Sequence, residues 1–492
     1  MPTPLLSLNL VSVSANREES LQQQLTEELR VRIIRGELPP GSRLPSSREL
    51  RRSLGVARNT VLSVYEQLAA EGYVGGRRGS GTYVQENLPD LRLRAAGQRG
   101  RIGSASPLSI SPAARRLADA ARGTVAGTVA PLPFRPCVPS APEFPIGVWE
   151  SLRRRVLNRN GAHLLDYAEP AGYRPLREAI SVHVQDYRGV RCTPDEIIVT
   201  AGAQQAFHLI VAALVGPGDP VGMEDPGYAG FRSAALAAQA ELIPMPVDRD
   251  GMVLPKRRLA RPPVVIYMTP SRQFPLGVTM SLCRRLDWLE FAEKTGAWLI
   301  EDDYDSEHRY SGRPLPALQG LKENGRVLYV GTFSKTVFPS LRLGYIVAPA
   351  RLVPDLVRMR AVLDGHSPSI DQAVLAEFME GGRYARHLRR TQAIYGERLQ
   401  VFRSEMESRL GGVVRLEASS SGLSLVGWLP ENADSEEWAK RALAGGIEVS
   451  PISKYVIRTK CPAGIVFGFA PYPPALIRRS VEKLAKAWAV RS

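Results

Sequence analysis

No apolar run in the sequence reaches the roughly 18 residues that a membrane-spanning helix needs. The stretch from Met1 to Asn16 has neither a basic leader nor a long apolar core, so it does not read as a signal peptide. A soluble, cytoplasmic protein that uses no membrane is expected. Cysteine is scarce: Cys137, Cys192, Cys283 and Cys461 lie too far apart for metal-ligand or redox spacing. The six histidines are equally scattered, so no metal site is expected and the thiols should stay reduced. Acidic residues are also in deficit, 49 against 64 Lys and Arg, leaving a formal net charge of +15. So basic a balance favours an anionic partner, either nucleic acid or a membrane surface, without choosing between them.

At roughly 100–200 residues per domain, 492 residues predict about two to four domains. Residues 18–85 are dense in arginine and helical periodicity. Residues 86–130 are rich in Arg, Ala, Gly, Ser and Pro with little apolar period, which suits a linker with a helical stretch near 113–121. Residues 131–492 alternate short apolar runs (around Ile198, Ile266, Leu299 and Leu328) with helix-length amphipathic segments. That is the pattern of an α/β fold with a mainly parallel sheet covered on both faces.

In the first zone, residues 21–34 read as an amphipathic helix with Leu25, Leu29 and Ile33 on one face. Ser46 or Ser47 can cap a second helix that Pro45 leads into. A turn at Leu54, Gly55 and Val56 precedes a third helix over about 58–72, with Val61, Val64, Tyr65 and Leu68 on its apolar side. This spacing makes a helix-turn-helix, whose second member would enter a major groove with its N-terminal end against the base edges. Two short apolar arms then flank a basic, glycine-rich tip at Arg77, Arg78 and Gly79. They read as a hairpin wing that can approach a phosphate strand. The run from Leu38, Pro39, Pro40 and Gly41 through Pro45-Ser46-Ser47-Arg48-Glu49-Leu50, Arg58-Asn59-Thr60 and Glu71-Gly72-Tyr73 to Gly79-Ser80-Gly81-Thr82 resembles the winged helix of GntR-type regulators. The resemblance implies a double-stranded DNA operator as partner, contacted by Arg48, Arg58, Asn59, Thr60, Arg77 and Gly79.

In the third zone, Gly331-Thr332-Phe333-Ser334-Lys335 follows an apolar strand. A lysine there projects into the cleft at the strand's carboxyl end and can form a Schiff base with an aldehyde cofactor. Trp298-Leu299-Ile300-Glu301-Asp302-Asp303-Tyr304 ends a second strand in acids. A carboxylate such as Asp302 would keep a pyridine nitrogen protonated, with Tyr304 on the ring hydroxyl; an Asp pair at a strand end also suits a metal or a helix cap. Where Val199 and Thr200 turn into a helix at Ala203 and Gln204, small residues expose N–H groups to a phosphate. Ser334 and Arg342 would complete that anion site. Tyr228 can stack on the ring, or simply pack in the core.

Together these residues resemble fold-type I aminotransferases, from about Pro131 onward, and the fusion of both parts resembles the MocR/GabR family of regulators. The resemblance implies pyridoxal 5′-phosphate on Lys335, and a homodimer, often domain-swapped, in which Tyr167 reaches the phosphate of the second subunit. It also implies a small amine or amino-acid effector, or the cofactor itself, that changes DNA binding through the aldimine. Two departures stand out. Relatives commonly carry His where this chain has Arg272, and the segment around Cys461 lacks the arginine with which aminotransferases grip a carboxylate. Arg272, Arg342, Arg458 and Lys460 are the cations left for an effector. A working aminotransferase that also binds DNA is the alternative reading.

Overall fold

The computed structural model describes residues 20–77, 80–88 and 132–488, apart from 256, 258, 313–314 and 324, together with isolated positions between 110 and 118. The first stretch, most of the expected linker, Arg78 and Gly79 lie outside the described residues, as does the Arg77 side chain. The chain divides into two compact units, residues 1–109 and 110–492.

The first unit is three helices and a hairpin. α1 (Leu21–Arg35) starts at a Ser20 capping box and stops at Gly36, which takes the left-handed conformation a helix end needs. α2 (Ser47–Leu54) is capped by Ser46 and Glu49 in the same way, and α3 (Arg58–Ala70) follows Gly55. The last helix is two residues shorter than its periodicity suggested, because the Tyr73 N–H turns back to the Leu68 carbonyl and leads into the hairpin. Leu25, Leu29, Ile33, Leu50, Val61, Val64 and Leu68 form one core. Arg30 on α1 pairs with Glu71 at 2.7 Å, tying α1 to the end of α3. The wing is β1 (Val74–Arg77) against β2 (Gly81–Val84), antiparallel, with Val74 opposite Val84.

The second unit is built on an eight-stranded sheet of order β3-β10-β9-β8-β7-β4-β5-β6. Its strands are β3 (Ile197–Thr200), β4 (Pro220–Asp225), β5 (Glu241–Asp248), β6 (Gly251–Met252), β7 (Val265–Met268), β8 (Trp298–Asp303), β9 (Val327–Thr332) and β10 (Gly344–Val347). The five strands β9, β8, β7, β4 and β5 run parallel, the short β6 pairs antiparallel with β5, and β10 runs antiparallel between β3 and β9. β3, β4, β7, β8 and β9 are buried throughout, which is why each contains a short apolar run rather than an alternating pattern, with acids at the carboxyl ends of β4 and β8. A second, antiparallel sheet of β11 (Arg415–Leu416), β12 (Ser424–Trp428), β13 (Ser450–Pro451) and β14 (Gly464–Gly468) packs its own core against the 28-residue helix Arg383–Leu410 and the helix Pro474–Trp488. The mainly parallel sheet follows the sequence expectation; the separate small sheet lies outside it, and two of its strands, β11 and β13, have only two residues each.

Leu68 is fully buried at the centre of the first unit, so Leu68→Ala should lower that unit's stability by about 2–5 kcal/mol. Amide exchange in α1 and α3 of the full chain is the readout; unchanged protection would contradict the assigned core.

Candidate cofactor site and DNA-facing surface

Parallel strands β4, β7, β8 and β9 all end on one edge of the large sheet, and their carboxyl ends carry the polar chemistry. On β8, Asp302 is only 5% exposed. Its Oδ2 accepts a hydrogen bond from the Tyr267 hydroxyl of β7 at 2.6 Å, while its Oδ1 is buried with no partner. Burial pushes this carboxyl up to about 7, against the pull of the Tyr267 hydrogen bond. An oxygen left in that state costs about 1–3 kcal/mol. A protonated ring nitrogen brings the missing donor, so the position fits a pyridinium. Its neighbour Asp303 differs: the buried Arg188 Nε lies 2.7 Å away and the Tyr329 hydroxyl donates at 2.7 Å. Burial, the largest single influence, would raise Asp303, but the Arg188 guanidinium together with hydrogen bonds from Tyr329 and Ser306 outweighs it and holds the group low. The two acids of the pair therefore have separate environments, and among the described residues no three His, Cys, Asp or Glu side chains converge as for a metal.

Lys335 follows β9 and is half-buried; its amine donates to the Cys137 carbonyl at 2.7 Å. Its backbone is pinned by two histidines, His308 Nε2 on the Lys335 carbonyl at 3.0 Å and His387 Nε2 on the Thr336 carbonyl at 2.9 Å. Burial lowers both imidazoles, His387 to about 4, so both stay neutral and donate from Nε2. Sequence reasoning passed over these two histidines and Cys137, because each acts from a distant segment.

On the other side of β10, β3 turns through Gly202 into the helix Ala203–Leu214, and no side chain caps that helix. Gly202 has φ +91°, and a Cβ on Gly344 of β10 would lie 2.9 Å from the Gly202 Cα, so both positions need glycine for the turn to close. Gly344 pairs with both Thr200 and Thr332, which sets the helix start and the Ser334–Lys335 segment on either side of it. Arg342, exposed and with φ +52°, donates to the Ala201 carbonyl at 3.0 Å, while Gln204 donates to the Gly230 carbonyl at 2.8 Å. Uncapped N–H groups beside a guanidinium form an anion site.

Four aromatic rings gather nearby. Phe274 meets Tyr228, Tyr304 and Tyr455 edge-on at 5.7, 5.9 and 5.0 Å between centroids. Burial, reinforced by Asp302, pushes the Tyr228 phenol up to about 12. Tyr167 stands apart, 95% exposed, with its ring edge on His366.

The expectation that Arg272 grips an effector does not suit its surroundings. The guanidinium is buried and committed on every side: Nε to the Ser421 carbonyl at 3.1 Å, Nη1 to the Tyr304 hydroxyl at 3.3 Å, Nη2 to the Ser424 carbonyl. It lies against Gly277 and Gly422, where side chains would collide with it. Arg458 and Lys460 are exposed, while the backbone N–H groups of residues 457–459 all donate to the buried Asp225 carboxylate.

In the first unit, Arg48, Arg58 and Asn59 are exposed and Thr60 is half-buried. Arg48, Arg51, Arg52 and Arg58 line a groove of about 690 Å³ beside Gly55, Val56 and Ala57. Ala57, at the N-cap of α3, supplies no side-chain cap, so the N–H groups there face an anion-attracting surface.

Residues 21–84 match the gntR family of bacterial regulatory proteins, and residues 144–478 match the class I and II aminotransferases. The chain is 38% identical over 471 residues to the probable rhizopine catabolism regulatory protein MocR of Rhizobium meliloti, covering 95% of this chain and 94% of the relative. It is 32% identical to the pyridoxine biosynthesis transcriptional regulator PdxR of Corynebacterium glutamicum, covering 97% and 98%. The second unit is similar to the α-aminoadipate aminotransferase LysN of Thermus thermophilus, solved with N-(5′-phosphopyridoxyl)-L-leucine, at 26% identity and a TM-score of 0.67, over 77% of this chain and 94% of that one.

Asp302 titrates near 7 when folded against 3.8 ordinarily. The folded chain therefore keeps a proton there that the unfolded chain has already released. The stability this contributes is present at the acid end and is lost as pH rises through that window. In cofactor-free protein, Asp302→Asn should gain stability relative to wild type as pH rises from about 4 to about 7 in denaturant unfolding; a constant difference would contradict the assignment.

Proposed function

The chain belongs to the MocR/GabR-type family of transcription regulators, a gntR-family DNA-binding domain joined to an aminotransferase class I and II domain, and on that premise we propose that Lys335 is the centre at which a small amine is read out as a change in operator binding. Pyridoxal 5′-phosphate, the cofactor of that aminotransferase fold, supplies when bound an aldehyde that joins covalently to a primary amine. The observation that carries the reading is the buried, donorless Asp302 Oδ1 at the same sheet edge as Lys335.

We assign the roles as follows. Asp302 would hold the ring nitrogen's proton. Tyr304 would hydrogen-bond the ring hydroxyl, and Tyr228 would cover a ring face. The N–H groups at Ala203 and Gln204, with Ser334 and Arg342, would take the phosphate. Tyr167, so exposed in the single chain, reaches the phosphate of a second copy in a homodimer. Lys335 would hold the cofactor's aldehyde, and its amine, when not so engaged, donates to the Cys137 carbonyl. Arg48, Arg58, Asn59 and Thr60, with Arg77 and Gly79 on the wing, contact the operator. The domains are residues 18–85 for DNA, 86–130 as linker and 131–492 for the effector. MocR and PdxR carry names that point to different signals, so a shared cofactor centre with a variable effector pocket suits the family.

Lys335→Ala should remove the visible absorbance of the cofactor-loaded protein and the amine dependence of operator binding, while operator affinity without amine stays within about threefold. Retention of the amine response would overturn the role of Lys335. Arg58→Ala should weaken operator binding by about 1–3 kcal/mol in titrations at fixed salt; an unchanged affinity would remove Arg58 from the interface.

A further inference from the structure

The turn that leads into the helix Ala203–Leu214 is held by polar side chains to which the cofactor reading gives no task. Gln205, in the first turn of that helix, bends its carboxamide back past Gly202, and its Oε1 accepts the Ala201 N–H at 2.7 Å. Its Nε2 donates to Asp364 Oδ2. The other oxygen, Asp364 Oδ1, accepts from Arg360 Nε at 2.5 Å. Arg360 is fully buried; its Nη1 donates to the Val199 carbonyl and its Nη2 to Ser367 Oγ at 2.9 Å. The relay thus leaves the backbone at Ala201 and returns to it at Val199, two residues earlier. Arg342 Nη2 donates to the Ala201 carbonyl, so that residue is fixed at both its N–H and its C=O.

Anchoring alone does not account for this arrangement. To tie the helix Val353–Leu363 to the sheet, Arg360 and the Val199 carbonyl would suffice. Gln205 does something further. A helix start is ordinarily closed by a side-chain oxygen on its first N–H groups. Here the N-cap is Gly202, no side chain caps the helix, and the Gln205 oxygen is turned to Ala201 instead. The polar side chains therefore stiffen the turn while the first N–H groups of the helix stay open to an anion. Donors that are aimed beforehand bind better than donors that must be ordered on binding, because the ordering cost is already met by the fold.

We propose that Gln205 and Asp364, anchored by Arg360, are positioning residues for the cofactor phosphate: they hold the backbone of residues 199–201 so that the first N–H groups of the helix and Arg342 meet one anion. Neither side chain touches the cofactor; both act through the turn. The proposal deepens the phosphate site assigned above and rests on it.

Cofactor-free full-length protein is titrated by visible absorbance with pyridoxal 5′-phosphate and, separately, with pyridoxal, which brings the same ring and aldehyde without the phosphate. The wild type should bind the phosphorylated form at least ~100-fold more tightly. Gln205→Met fills the same space without hydrogen bonds, and Asp364→Asn sets an amide N–H against the donor of Gln205 or of Arg360. Each should lower that ratio about 5- to 10-fold, by weakening the phosphorylated form while pyridoxal stays within about twofold. Because both changes break one relay, the double variant should lose no more than about twice what the larger single change loses. Asp364 is exposed, so its variant decides the matter even if the Gln205 variant does not fold. A ratio unchanged within about twofold, equal weakening of both ligands, or losses that multiply in full in the double variant would each overturn the proposal. A wild type that binds the two forms alike refutes the phosphate site itself, and with it this inference.

Discussion

A carboxylate taken out of water is stable only if something cationic or protic reaches it, and Asp302 has that on one oxygen but not on the other. The Tyr267 hydroxyl fixes the orientation of the group, so the free oxygen points in one direction only. Around it, the ends of parallel strands collect the lysine, the aromatic rings and an uncapped helix start. None of these features is rare alone. Their convergence at one sheet edge, with a buried acid that lacks a donor, is what makes the edge a site for a cationic aromatic ring bearing a phosphate.

Lys335 depends on the same economy of polar groups. Two neutral histidines hold the carbonyls of Lys335 and Thr336, and the lysine amine reaches back to the Cys137 carbonyl. Cys137 lies in the second unit, where its N–H also donates to Ser424 Oγ at 2.7 Å and nearby Phe134 is fully buried among the aromatic residues of the small sheet's core.

The parts of this arrangement carried by contiguous sequence were legible in it. Asp302 and Tyr304 end an apolar run, Lys335 follows another, and the turn at Gly202 joins strand to helix within a few residues. The winged helix was equally plain, because the cap of its second helix, at Ser46, and its core spacing are local. What depends on residues far apart in sequence was not legible. Nothing near Arg272 announces that Ser421 and Ser424, some 150 residues on, engage its guanidinium, so a free cation was expected where the fold supplies a bound one. Asp303 and Asp305 are equally buried, and only their distant partners tell them apart: Arg188 lies 2.7 Å from Asp303, while Arg272 comes no nearer than 3.8 Å to Asp305. Within the small sheet, β11 and β13 have only two residues each and leave no apolar run to read.

The central claim is a covalent one and can be read directly. Purified full-length protein is incubated with pyridoxal phosphate, reduced with borohydride, digested and analysed by peptide mass spectrometry. The account predicts a phosphopyridoxyl group fixed to Lys335 alone, at about one per chain. Labelling spread over surface lysines, or none above a phosphate-blocked control, would contradict it.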